Sequence, residues 1–112
     1  MDISDFYQAF FDEADELLAD MEKHLLDLDL LSPDREVLNA IFRAAHSIKG
    51  GAGTFGFSAL QQTMHILENL LDDVRSDKLR ITEEIRSLFL EGKDIMQDQL
   101  DAYKSSSEPD QE

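Results

Sequence analysis

The chain of 112 residues contains no cysteine, only two prolines and few basic residues. Without cysteine it forms no disulfide, holds no metal through a thiolate and has no cysteine nucleophile. Lys and Arg together number 10 against 25 Asp and Glu, which gives a formal net charge of −15. Nucleic acids and anionic membrane surfaces attract basic proteins. This charge balance therefore argues against nucleic acid or a membrane as the partner.

Long apolar runs are also missing. No stretch approaches the roughly 20 apolar residues that a membrane span requires. The acidic residues Asp2 and Asp5 stand where a signal peptide would carry basic ones. The last eight residues, 105–112, have no apolar side chain and are predicted to form a flexible linker or tail. We therefore expect one cytoplasmic domain over residues 1–104, without membrane insertion.

Apolar residues recur every three or four positions along most of the chain, which is the spacing of one face of a helix. No segment alternates apolar and polar residues, so no strand is predicted. Short connections between helices favour antiparallel neighbours. The predicted fold is all-α, an up-down-up-down antiparallel four-helix bundle, with helices over roughly 4–29, 33–54, 58–76 and 83–104.

Several short motifs predict where these helices begin. Ser32 is the expected N-cap of the second helix, with Pro33 at its first position. Ser58, followed three residues later by Gln61, predicts a capping box at the start of the third. Thr82, followed by two glutamates, predicts the start of the fourth.

Histidine is the residue type whose unperturbed pKa lies nearest neutrality, and the helical wheel separates the three histidines of this chain. His24 lies near an apolar stripe and is assigned a structural role. His46 lies on a polar shoulder of the second helix, while His65 and Glu68 share a polar shoulder of the third. Adjacent antiparallel helices can bring these shoulders together and set a carboxylate beside a partly exposed imidazole. On the pattern alone, an ordinary surface histidine at position 46 remains an alternative.

The glycines clustered after His46 allow two interpretations. Gly50 lies one turn beyond His46 on the same side, where a missing side chain leaves room for an approaching partner, but Gly50 and Gly51 could equally end the helix. The run Gly51–Gly56 matches G-x-G-x-x-G, yet it follows a helix and not a strand, so no dinucleotide site is predicted. No Glu-x-x-His pair is present, and no metal site is predicted.

The run His46–Gly56, which reads His-Ser-Ile-Lys-Gly-Gly-Ala-Gly-Thr-Phe-Gly, resembles the phosphoacceptor signature of histidine phosphotransfer (HPt) domains. The resemblance extends through Lys104. In particular, the chain is similar to the N-terminal domains of the CheA family of chemotaxis histidine kinases of gamma-proteobacteria. This similarity rests further on residues 1–8, 11–14, 68–72 and 93–96.

This resemblance implies a role in two-component signalling. His46 would accept the γ-phosphoryl group of ATP from the CheA kinase domain and pass it to an aspartate of a response regulator of the CheY or CheB type. Glu68 would orient and polarise the imidazole, and Lys49 and His65 would complete the polar network around it. Gly50 would provide steric clearance.

The sequence has no phosphate-cradling loop and no evident magnesium ligands. The domain is therefore expected to be a phosphoacceptor and carrier but not a catalyst alone, with ATP and magnesium supplied by the kinase domain. Two origins stay open, a fragment of a longer kinase and a free-standing phosphorelay protein. An alternative of another class is a helical docking bundle in which the histidine is incidental.

Overall fold

The computed structural model describes residues 3–106, and these form four helices with no strand among them. Helix α1 spans Ile3–Asp27, α2 Arg35–Phe55, α3 Ser58–Arg75 and α4 Glu83–Ser106. Helices α1 and α3 each pack against both α2 and α4, so the four stand in chain order around a common core. The predicted all-α four-helix bundle is confirmed.

The outer limits of the bundle differ slightly from those predicted. Helix α4 continues through Ser106, two residues into the segment predicted as a tail, while residues 107–112 of that segment lie outside the described part of the chain. Helix α1 ends at Asp27, two residues earlier than expected. None of the described helices is both long and apolar enough to cross a membrane.

The apolar stripes meet in one core, and each helix contributes fully buried side chains such as Leu18, Ile41, Leu71 and Leu100. An aromatic cluster closes one end of this core, with the Phe57 and Tyr103 ring centroids 4.3 Å apart. Large rings bury the most apolar area per side chain, so this end is well suited to hold α1 and α4 against the α2–α3 turn. The cluster consists of Tyr7, Phe10, Phe11, Phe55, Phe57 and Tyr103.

Two glycines explain how α2 packs and where it ends. A Cβ atom on Gly51 would lie 2.3 Å from the Phe10 ring, so the contact between α1 and α2 requires glycine at this position. Gly56 has a φ of 74°, a left-handed conformation that favours glycine, and it ends the helix. The helix thus runs past Gly50 and Gly51, and neither of them is its terminus.

Two of the predicted helix caps are wrong, although α3 begins at Ser58 as predicted. The Asp34 side chain, and not Ser32, caps α2 by accepting a hydrogen bond from the backbone N–H of Glu36 at 2.8 Å. Pro33 therefore precedes the helix. At α3 the N-cap position belongs to Phe57, which has no capping side chain, so no capping box forms from Ser58. The burial of the Phe57 ring in the aromatic cluster fixes this helix start instead.

The start of α4 agrees with the prediction and also secures the end of α1. Thr82 Oγ1 accepts a hydrogen bond from the Ile85 N–H at 3.2 Å. Further along, Arg86 Nη1 donates to the carbonyl oxygens of Leu25 at 3.1 Å and Leu28 at 3.0 Å. The last carbonyls of a helix have no partner within it. Arg86 therefore supplies the C-terminal cap of α1 from across the bundle.

We predict that Arg86→Met lowers the free energy of unfolding by about 1–3 kcal/mol, since hydrogen bonds from charged donors contribute in this range. Methionine keeps much of the apolar stem but removes the donors. Arg80→Met is the matched control, because Arg80 is exposed in the loop before α4 and should change stability by less than ~0.5 kcal/mol. Urea denaturation followed by circular dichroism measures both. Equal midpoints for the two variants would contradict the capping role.

Candidate functional site

The structure brings His46 of α2 and Glu68 of α3 into direct contact. The imidazole Nδ1 lies 2.7 Å from Oε2 of the carboxylate. The two side chains differ sharply in exposure, with 68% of the His46 side chain open to solvent against 9% of the Glu68 side chain. The carboxylate is thus set into the α2–α3 interface, and the imidazole projects from it.

Lys49 holds the other side of the same carboxylate. It lies one turn after His46, and its Nζ forms a short hydrogen-bonded ion pair with Glu68 Oε1. Burial by itself would raise the pKa of Glu68, but the hydrogen bonds from Lys49 and His46, together with the positive charge of Lys49, outweigh it and leave that pKa below its ordinary value. Glu68 is therefore ionised at neutral pH.

The ionised carboxylate determines which nitrogen of His46 carries the proton. A carboxylate can only accept hydrogen bonds, so the contact at Oε2 requires a hydrogen on Nδ1. In the neutral ring the lone pair is then on Nε2. Because most of this side chain is exposed, the geometry presents a nucleophilic nitrogen to an approaching molecule.

His65 and Gly50 lie close to this pair without joining it. The exposed His65 has its Nε2 3.5 Å from the Asn69 amide nitrogen, and it lines a surface depression together with Lys49. Among these described residues, no hydrogen bond links His65 to His46 or Glu68. A Cβ atom on Gly50 would meet no atom within 4 Å, so the surface beyond the imidazole is open.

Two further residues, one beside the imidazole and one behind the first, are not found by sequence reasoning. The Phe42 ring lies nearly parallel to the His46 ring, with 10° between the planes and 6.3 Å between the centroids. The guanidinium carbon of Arg75 lies 3.8 Å from the centroid of the Phe42 ring. The spacing of four residues between Phe42 and His46 is a signal for the first contact, but nothing in the sequence points to the second.

Neither a group of metal ligands nor a loop around a phosphate is found among the residues that the structure describes. In the described part of the chain, no group of three or more His, Asp or Glu side chains is arranged to hold a metal ion. The glycine-rich run after His46 lies largely within the last turns of α2 and does not form a loop around a phosphate. The functional group that the structure presents is the imidazole itself.

Comparison with known proteins points to one family. The model of the Hpt domain family matches residues 5–106. Over all 112 residues the chain is 72% identical to the chemotaxis protein CheA of Klebsiella aerogenes, of which it covers 17%. Over 110 residues, 98% of this chain, it is 73% identical to CheA of Salmonella typhimurium, of which it covers 16%. The chain thus spans about one sixth of the length of these relatives.

Solved structures agree with the sequence relatives. The CheA phosphotransferase domain from Thermotoga maritima superposes with a TM-score of 0.84 at 34% identity, over 92% of this chain and 98% of that one. The phosphorylated P1 domain of CheA3 from R. sphaeroides, solved in complex with CheY6, also gives 0.84, at 25% identity over 91% of this chain and 80% of that one. Both likenesses extend over nearly the whole bundle.

We predict that Glu68→Ala changes the tautomer of His46. In the unmodified chain the neutral ring should carry its proton on Nδ1, because only an N–H can donate to the carboxylate 2.7 Å away. Without that acceptor, the proton should redistribute towards Nε2. Long-range proton–nitrogen NMR correlations of the ring distinguish the two forms. A ring with its proton on Nε2 before the substitution would contradict the assignment.

Proposed function

This chain belongs to the Hpt domain family, and on that premise we propose that it is the phosphohistidine carrier of a chemotaxis kinase of the CheA type, with His46 as phosphoacceptor. The observation that carries the proposal is the contact of 2.7 Å between Nδ1 of this ring and the buried Glu68 carboxylate. The contact leaves Nε2 free at a surface where 68% of the side chain is exposed.

The chemistry follows from this arrangement. The Nε2 lone pair attacks the γ-phosphorus of ATP, an Nε2–P bond forms, and the bond to the bridging oxygen breaks with its electron pair leaving on ADP. Positive charge develops on the imidazole as the new bond forms, and the Glu68 carboxylate stabilises it from the Nδ1 side. Lys49 keeps that carboxylate ionised and in place.

Onward transfer reverses these roles. An aspartate oxygen of the response regulator attacks the phosphorus, the N–P bond breaks, and its electron pair returns to Nε2. The resulting ring is the neutral form that the Glu68 contact favours. The carrier is thereby restored without any movement of its proton from Nδ1.

The partners follow from the same chemistry. A kinase domain of the CheA type would hold ATP and magnesium, since phosphoryl transfer depends on positioning and charge neutralisation and this domain supplies mainly the acceptor. A response regulator of the CheY or CheB type would receive the group, as suggested by the relative solved with CheY6. Such an exchange with ATP supports a cytoplasmic location for the proposed activity.

For His65 and Gly50 we propose the roles that the family resemblance suggests. His65 lies on the rim of the site beside Lys49, where it would contribute to the polar surroundings of the phosphoryl group. Gly50 borders open space, which supports a role in admitting the partner domain. Both roles belong to the proposal.

The proposal predicts labelling on a single histidine. Incubated with radiolabelled ATP and the kinase domain of CheA, the chain should gain a phosphate that is labile in acid and stable in alkali. His46→Gln should gain none, and the bundle should stay folded, because the glutamine amide keeps an N–H that can donate to the Glu68 carboxylate. His24→Gln, the matched control, should be labelled normally. A labelled His46→Gln variant, or an unlabelled unmodified chain, would refute the proposal.

We also predict that Gly50→Leu blocks phosphorylation by the kinase domain while the bundle stays folded. The added side chain enters open space, so it obstructs a partner and not the core. Gly50→Ala is the matched control, because alanine raises helix propensity by about 1 kcal/mol with little added volume. Labelling rates and thermal melting measure both effects. Equal labelling of the leucine and alanine variants would show that clearance at this position is unimportant.

A further inference from the structure

The imidazole of His46 has a neighbour that the proposed chemistry leaves unused. A single hydrogen bond tolerates substantial misalignment before it weakens steeply, so the Nδ1 contact with Glu68 alone permits the ring to tilt. Most of the side chain is exposed to solvent, and the surrounding water does not prevent the ring from tilting. The Phe42 ring, parallel to within 10° and with its centroid 6.3 Å away, stands on one side of the imidazole.

Phe42 is itself held in place by Arg75. The guanidinium lies over the Phe42 ring, 3.8 Å from its centroid, which is the geometry of a cation–π contact. Its own position is fixed by hydrogen bonds of 3.2 Å to Asn39 Oδ1 and 3.2 Å to Asp72 Oδ1. The planar guanidinium is therefore tied to both α2 and α3, and it restricts the ring beneath it.

Helix α3 thus acts on the imidazole at two points. Glu68 and Arg75 lie seven residues apart, about two turns, and so on the same face of that helix. Glu68 contacts the imidazole directly at Nδ1. Arg75 reaches it through Phe42, which lies one turn before His46 on α2.

We propose that Phe42 and Arg75 are positioning residues for the phosphoryl-accepting ring. Phe42 limits the tilt of the imidazole, and Arg75 fixes Phe42, so that Nε2 stays aligned with the incoming phosphorus. Small misplacements of a reacting atom slow a transfer strongly. The inference rests on the proposed function of His46, and it adds a second support to the one that Glu68 provides.

The test uses phosphoramidate as phosphodonor, because so small a molecule reports on the ring and not on the docking of a kinase. Nε2 attacks phosphorus, the P–N bond of the donor breaks, and ammonia leaves with the electron pair. Phe42→Leu should slow this phosphorylation about fivefold, the middle of the range that a well-placed ring contact contributes. Phe42→Tyr, which keeps the ring, should react at the unmodified rate.

Two further variants separate positioning from general stability. Phe55→Leu, the matched control, makes the same substitution on the same helix within the aromatic cluster, and it should lower the melting temperature without slowing phosphorylation below melting. Arg75→Met should slow phosphorylation about twofold. The effect should be smaller than that of Phe42→Leu, because the Phe42 ring is still present but less firmly held. The double variant Phe42→Leu with Arg75→Met should be no slower than Phe42→Leu alone, since Arg75 acts through the ring.

NMR supplies a readout that does not depend on phosphorylation. The carbon-bound protons of the His46 ring lie within the ring-current field of Phe42, and they should shift in Phe42→Leu and in Arg75→Met. They should be unmoved in Phe55→Leu. The proton on Nδ1 should remain in all three, because Glu68 is intact.

The possible results separate the positioning role of Phe42 and Arg75 from the proposed function of His46. Normal phosphorylation of a folded Phe42→Leu variant would overturn the positioning role while leaving the proposed function standing. Multiplicative effects of Phe42→Leu and Arg75→Met would show that Arg75 acts independently, and would overturn its assignment. If neither phosphoramidate nor the kinase domain phosphorylated the unmodified chain, the proposed function would fail and the inference with it.

Discussion

The buried carboxylate of Glu68 is the interaction on which the site depends. Removing a charge from water is costly unless it is paired and hydrogen-bonded, and here His46 and Lys49 each take one of its oxygens. Both partners lie on α2, one turn apart, while the carboxylate lies on α3. The contacts that orient the imidazole therefore also fix the register of the two helices. The site is part of the interface that builds the bundle.

The remaining helices hold this interface without entering it. Phe10 packs against Gly51 on the α1 side of α2, and Arg86 joins α4 to the end of α1. None of these contacts touches the imidazole, which is exposed on the other side of α2. A phosphoryl group added at Nε2 would consequently lie outside the packed core. The fold can thus be rigid where it supports the ring and open on the side where the ring is exposed.

The sequence predicts the helices and their faces better than it predicts contacts between them. Side-chain direction repeats regularly along any helix, so spacing alone located the bundle and the exposed shoulder of His46. The start of α2 was misassigned to Ser32, because the loop gives Asp34 the extended conformation that a capping residue needs. The contact of Arg75 with Phe42 joins two helices. Its register depends on tertiary packing, which no spacing within one helix specifies.

The placement of charge around the ring also affects how readily a phosphohistidine carrier could release its phosphoryl group. Interactions that stabilise a bound group more than the transition state slow its departure. Lys49, one turn after His46, is already engaged by Glu68 on the Nδ1 side of the ring. Phe42 lies beside the ring, and Arg75 lies over Phe42. The support thus acts on the imidazole and leaves the transferred group exposed. In the proposed function, such support would aid attack by Nε2 in one direction and recovery of its lone pair in the other.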